Sequence, residues 1–165
     1  MKFKAELIGK SSLSVSMKLM PFRYKLLALL LLMPLSVGAN NGYNFDNYVV
    51  YHNAFTADTL PANMASAYGI LRSKYKGVLN LSVQQKMGVG KFNIPVNAAV
   101  KVQAVNLVGQ LKELDSRRVT EGDAIYYISE FRVSHKEVIT FNISIVPKGE
   151  KTPLEFKFKR QFYTD

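Results

Sequence analysis

From Gly77 to the C-terminus, apolar and polar positions alternate with a period of two, and each alternating run ends at a cluster of turn residues. Leu79, Leu81 and Val83 point one way, and Asn80, Ser82 and Gln84 the other. Met87-Gly88-Val89-Gly90 makes a connection, after which Val96, Ala98, Val100, Val102 and Ala104 form the next inward set. Leu107-Val108-Gly109-Gln110 breaks the alternation, and a shorter strand is predicted over 111–119. Glu121-Gly122-Asp123 leads into a strand over 124–132, and Ser134-His135-Lys136 into one over 137–146. Pro147-Lys148-Gly149-Glu150 then leads into a last strand over 154–163. In the last two, Ile139, Phe141, Ile143 and Ile145 face inward, as do Leu154, Phe156, Phe158 and Phe162. Residues 48–55 are apolar and aromatic on both parities, which predicts a strand covered on both faces. The single helix expected spans 62–68, between Pro61 and Gly69, with Met64, Ala65 and Tyr68 on its inner side. The pattern predicts an all-β fold, an immunoglobulin-like antiparallel β-sandwich of about seven strands with one short helix. A ligand-holding β-barrel is the alternative architecture.

Ahead of this domain the pattern changes. Lys18, Arg23 and Lys25 form a charged leader, residues 26–33 are apolar, and Val37-Gly38-Ala39 supplies the small residues a signal peptidase needs to cut before Asn40. Residues 1–39 are therefore expected to be an N-terminal extension and cleavable signal peptide, and residues 40–165 a single domain. Counted from Met17 the leader has the usual length, so translation is expected to start there rather than at Met1, with Met20 a further option. The apolar run is shorter than the roughly 20 residues of a membrane span. With no cysteine anywhere, the chain is not expected to be a lipoprotein, to carry disulfides or to act as a thiol oxidoreductase. The expected address is the periplasm, as a soluble exported protein without a transmembrane anchor after cleavage.

Charge changes the picture little. The whole chain carries a net +10, but six of its 22 basic residues and one of its 12 acidic ones precede Asn40, leaving +5 on the domain. That is no basic stripe, so no nucleic-acid partner is expected. An envelope protein or an anionic envelope component suits a modest positive charge better.

Candidate chemistry is sparse. The sequence has no Gly-x-Ser-x-Gly elbow, phosphate loop or dinucleotide fingerprint, and no metal-ligand spacing, so neither a metal nor another cofactor is called for. His135 falls in a polar turn. His52 sits mid-strand among Tyr48, Tyr51, Asn53 and Phe55, where a neighbour can orient an imidazole; it is the one residue around which a hydrolase-type enzyme can be imagined. Glu121-Gly122-Asp123 places two carboxylates close together, but it also reads as an ordinary hairpin turn. The strongest interaction candidate is the run Arg72-Ser73-Lys74-Tyr75-Lys76, where Arg72, Lys74, Tyr75 and Lys76 can grip phosphate, carboxylate or an acidic patch.

Several segments have a familiar look: Tyr48-Val49-Val50-Tyr51-His52-Asn53-Ala54-Phe55, Ala67-Tyr68-Gly69-Ile70-Leu71-Arg72-Ser73-Lys74, and Glu121-Gly122-Asp123-Ala124-Ile125-Tyr126-Tyr127-Ile128. Asn106-Leu107-Val108-Gly109-Gln110 and the terminal Gln161-Phe162-Tyr163-Thr164-Asp165 join them. In this order they resemble the secreted gammaproteobacterial family catalogued as domain of unknown function 4426. The resemblance implies a periplasmic protein and carries over no catalytic residue. The expected function is a non-catalytic binding or accessory module of the cell envelope, recognising its target through residues 64–76, with the Glu121–Asp123 turn as a further part of that surface. A His52-centred enzyme predicts a cleft with His52 hydrogen-bonded to an acid or Asn. A carrier of an apolar ligand predicts a dry cavity between the sheets.

Overall fold

The computed structural model describes residues 42–165, so the expected leader and cleavage site lie outside the described residues. Ten strands, all paired antiparallel, form two sheets. The first runs β1 (Gly42–Asn44), β2 (Tyr48–Thr56), β3 (Lys76–Gln85), β8 (Ala124–Arg132) and β7 (Arg117–Glu121), with β4 (Ile94–Pro95) on the end of β3. The second runs β10 (Leu154–Gln161), β9 (Val138–Pro147), β5 (Ala98–Asn106) and β6 (Leu111–Leu114).

Ten strands replace the expected seven for a local reason. β1 and β4 are too short to show a period, and the strand expected over 111–119 is two strands in different sheets. β6 pairs with β5 through Val102↔Leu114, while β7 pairs with β8 through Arg117↔Ile128. Asp115 and Ser116 carry the chain across, and the Ser116 and Ser129 hydroxyls meet at 2.7 Å. A period of two is kept through such a crossing, so it cannot reveal that the strand has changed sheet.

The inner faces fill the space between the sheets. Phe141, Leu79, Leu81, Ile145, Val50 and Val83 are fully buried there. Phe131 meets Phe141 edge-on at 5.3 Å, and Phe158 stacks on Phe141 at 5.0 Å. Large apolar side chains occupy that layer, so the dry cavity that the alternative carrier reading predicts between the sheets is not found among the described residues.

The other face of the first sheet, to which Asn80 and Ser82 point, is covered too. Between β2 and β3 the chain makes a 3-10 turn (Ala57–Thr59) and the helix α1 (Ala62–Ala67), then returns to the sheet. Ala57, Leu60, Ala65 and Ile70 from this excursion pack with Val78 and Ile128 as a second, smaller core. α1 is six residues long and too short to persist alone. Its end is fixed by a Schellman pair, Ile70 N–H to the Ala65 carbonyl at 2.8 Å and Gly69 N–H to the Ser66 carbonyl at 3.1 Å. That pair needs a left-handed residue between, and Gly69 supplies it with φ +62.

Candidate functional site: the cavity beneath α1

The excursion does not seal the sheet completely. Beneath it lies a cavity of about 320 Å³, walled by Phe55, Leu60, Met64, Ile70, Val78 and Ile128, with Asn80, Tyr68, Tyr126 and Glu121 as its polar or amphipathic members. The volume falls at the lower end of the range for small-ligand pockets, and the mix of apolar walls with a few polar groups is typical of them. Each wall has a sequence cause. β3 and β8 are central strands whose outward residues Val78 and Ile128 are apolar because α1 covers them. Asn80 stands between them on the same face, paired across the ladder with Asn53 and Ile128.

Among the described residues, two buried side-chain polar atoms lack any hydrogen-bond partner: Asn80 Oδ1 and His52 Nδ1. Leaving such a group unpaired costs about 1–3 kcal/mol, so a fold keeps it only for a reason. Asn80 is one of the residues that line the cavity. On the same wall the Tyr68 hydroxyl donates to Glu121 Oε2 at 2.5 Å, and Arg117 Nη2 donates to the Tyr68 carbonyl at 2.5 Å. The bond to Glu121, with burial and the carboxylate's charge behind it, pushes the Tyr68 phenol up to about 12. Tyr68 therefore stays a neutral donor, and it fixes one oxygen of Glu121.

Glu121 also closes the β7–β8 hairpin, opposite Ala124, around the two-residue turn Gly122-Asp123. It serves both as a turn residue and as part of the cavity. A wider trough of about 780 Å³ crosses the outer face of the second sheet over Lys101, Gln103, Asn142 and Glu155. Neither unpartnered buried atom belongs to it.

The structure directs the basic run to three separate partners. Arg72 Nη2 donates to the Asp58 carbonyl at 2.8 Å, tying the return segment to the 3-10 turn. Lys74 Nζ lies 5.4 Å from the centre of the Tyr75 ring, and Tyr75 is exposed. Lys76 is the first residue of β3 rather than part of the loop, and it pairs with Glu130 at 2.9 Å; the other oxygen of that carboxylate is 3.6 Å from Arg117.

His52 lies between the sheets at their β2–β10 edge, stacked on Phe158 at 4.1 Å, with Tyr43 at 5.3 Å and Phe156 at 5.8 Å. No acid or amide orients it, so the arrangement the enzyme reading requires is missing among the described residues. Burial lowers its pKa below the ordinary 6.5. The unfolded chain therefore takes up this proton first as the pH falls, and stability is lost from about pH 6.5 downward until the folded pKa is reached. His52→Phe is expected to flatten this acid limb relative to the parent and to add about 1 kcal/mol at neutral pH by removing the unpaired nitrogen. Urea melts at pH 7.5 and pH 5 check both. A parallel acid limb in the variant would show that His52 does not contribute to it.

Asn80 is the site residue that a reading of the sequence for chemistry passes over, whereas Tyr68 falls in the expected recognition segment and Glu121 in the acidic turn. Asn80 looks like one more solvent-facing position in an alternating strand. The available signal is Val78, an apolar residue of the same parity, which marks that face as covered. Among the described residues no three His, Asp or Glu side chains gather as a metal site would need, and no helix is long and apolar enough to cross a membrane.

The family described as a domain of unknown function, DUF4426, matches over residues 43–165. Among solved structures, the chain is similar to a DUF4426 family protein from Pseudomonas aeruginosa at 37% identity, with 75% of this chain and 94% of that one covered and a TM-score of 0.64. It is also similar to a copper-bound variant of FetP from uropathogenic Escherichia coli, at 11% identity, 77% and 97% coverage and a TM-score of 0.53. FetP as isolated after expression in the periplasm matches at 11% identity, 74% and 92% coverage and a TM-score of 0.50. At that identity the FetP likeness concerns the fold alone. No curated protein matches the chain.

Proposed function

We propose, from the premise that this chain belongs to the DUF4426 family, that it is a non-catalytic binding module of the periplasm whose recognition surface is the covered face of its first sheet. The observation that carries this is Asn80, a residue lining an apolar cavity whose buried side-chain oxygen has no partner. A ligand whose apolar body fills the cavity and whose N–H or O–H reaches that amide supplies the missing bond. Water alone gains less there, because most of the wall is apolar. Glu121, held by Tyr68, adds a carboxylate that favours the same hydrogen-bond donors. Exposed Arg72 and Tyr75 and half-buried Lys74 belong to the same excursion and extend recognition to an anionic envelope component or an acidic partner. Lys76 stays with Glu130 and steadies the strand.

The sandwich is read as immunoglobulin-like. In support, β2-β3-β8-β7 faces β10-β9-β5-β6, which is the A-B-E-D order of one immunoglobulin sheet against G-F-C of the other with one added strand. The charged leader, short apolar run and Val37-Gly38-Ala39 support export. Copper, bound in the FetP variant, finds no gathered donor set among the described residues, and the aromatic ring around His52 offers none.

The test is a nuclear magnetic resonance titration of the isotope-labelled protein with 1-hexanol and hexanamide. Saturable shifts are expected at Ile70, Ile128 and the Asn80 side-chain amide. Asn80→Leu is expected to weaken both probes about tenfold, the equivalent of one good hydrogen bond, without lowering the thermal midpoint. Unsaturable shifts spread over the surface would remove the cavity reading. Equal affinity in Asn80→Leu would remove the amide's role.

A further inference from the structure

We propose that the connection between β3 and β4 inserts into the interface of an anionic phospholipid bilayer and holds the domain at a membrane surface. Four large apolar side chains stand exposed within eight residues. Val89 is 106% exposed and Phe92 96%, with Met87 and Ile94 at 39% and 48%. A phenylalanine left wholly in water at a loop tip is uncommon, and with fully exposed Val89 and partly exposed Met87 and Ile94 beside it, it marks a surface that something covers. Gly88 and Gly90 both have positive φ, at +92 and +75, a conformation that favours glycine in the connection.

Charge selects the occupant. Lys91 interrupts the apolar residues, Lys86 precedes them with its ammonium donating to the Phe45 carbonyl, and no acid occurs from Lys86 to Pro95. The β9–β10 turn joins the same end of the sandwich through Lys148 N–H, which donates to the Asn97 carbonyl at 2.7 Å, and it brings Lys148 and Lys151. The acids at this end are Asp46, Glu121, Asp123 and Glu150, of which Glu150 accepts the Tyr48 hydroxyl at 3.0 Å and Glu121 the Tyr68 hydroxyl at 2.5 Å. A protein partner needs a groove shaped to a convex tip, whereas a bilayer accepts one without complementary shape. Apolar tips enter the acyl boundary while lysines extend their ammonium groups to the phosphates. Phe92 and Val89 supply the first part and Lys91 the second. The opposite end of β5, with exposed Leu107 and Val108, serves as an internal control.

The chain contains no tryptophan, so a single introduced one reports on its own surroundings. Phe92→Trp in the full chain is mixed with vesicles of phosphatidylglycerol and phosphatidylethanolamine, with or without brominated acyl chains. A blue shift and quenching by bromine are expected for Phe92→Trp and neither for Leu107→Trp. Because the reporter reads the loop itself, lipid contact by the N-terminal segment does not imitate this result. Adding Lys91→Glu to Phe92→Trp is expected to weaken vesicle binding about tenfold, as for the loss of a cation and gain of an anion at a negative surface. Circular dichroism verifies that the variants fold. Unshifted Phe92→Trp emission overturns the proposal, as does an equal shift in Leu107→Trp. Emission already blue-shifted without vesicles and rising with protein concentration overturns it in favour of a second copy covering the loop. An equal response to phosphatidylcholine alone overturns the part assigned to the lysines.

Discussion

Phe141→Ala is expected to cost about 3–5 kcal/mol in denaturant melts, a large fraction of the roughly 5–15 kcal/mol that holds a domain folded. Phe141 is fully buried on β9 and is the centre of the aromatic core, in ring contact with Phe131, Phe158 and Phe162. Truncation to a methyl leaves a void bounded by both sheets, where strand pairing on either side limits collapse, so the transfer loss and the cavity add. With no disulfide to limit the unfolded state, nothing covalent offsets the loss. Phe156, on the neighbouring strand β10, is only half-buried and stacks on Tyr43 at 4.2 Å. Phe156→Ala should cost clearly less than Phe141→Ala. Lys157, the next residue, is exposed, and Lys157→Ala should change stability by less than about 0.5 kcal/mol. A loss at Phe156 equal to that at Phe141 would contradict the picture of a core centred on β9.

The β10 residues show what alternation reveals and where it ends. Leu154, Phe156, Phe158 and Phe162 were assigned inward from period alone, and all pack against the core. That works because β10 lies at the edge of a sheet with one wet face, so each residue's polarity reports its side. In β3 the same logic fails at Asn80. Both faces of β3 are covered, and polarity no longer distinguishes solvent from a cavity wall. The helix was legible from Pro61 and Gly69, but what it covers was not, because an excursion of this length can dock on either side of a sheet. The basic run was legible as charge, but the partner of Lys76 was not. Glu130 and Arg117, which occupy Lys76 and its surroundings, lie far along the chain and reach it only through the β3–β8 and β7–β8 pairings. Tyr68 and Glu121 meet for the same kind of reason, one in the excursion and the other in a hairpin on the far side of the sheet.

Gly77→Ala is the second large loss expected, about 1–3 kcal/mol, and it couples the core to the excursion that carries the candidate site. A Cβ built at Gly77 would lie 2.3 Å from Phe131 Cε2 and 2.5 Å from its Cζ, closer than unbonded carbons approach. Gly77 and Phe131 are directly opposed in the β3–β8 ladder, so the ring of Phe131 lies across the glycine and needs its bare backbone. Phe131 is itself buried and wedged edge-on against Phe141 and Phe162, at 5.3 and 5.5 Å, so it cannot swing away freely. Relief must come from a shift of β3 at its first residues. There Lys76 holds Glu130, and Val133 N–H donates to the Tyr75 carbonyl at 3.0 Å. The strain is thereby passed towards the loop that precedes β3. A double-mutant cycle separates this clash from a general dislike of alanine at the position. Phe131→Leu alone loses stability through its smaller side chain, but in its presence Gly77→Ala should cost less, with a coupling of about 1 kcal/mol or more. Additive losses in urea melts would mean that the ring does not meet the new methyl and that the cost at Gly77 lies in the backbone alone.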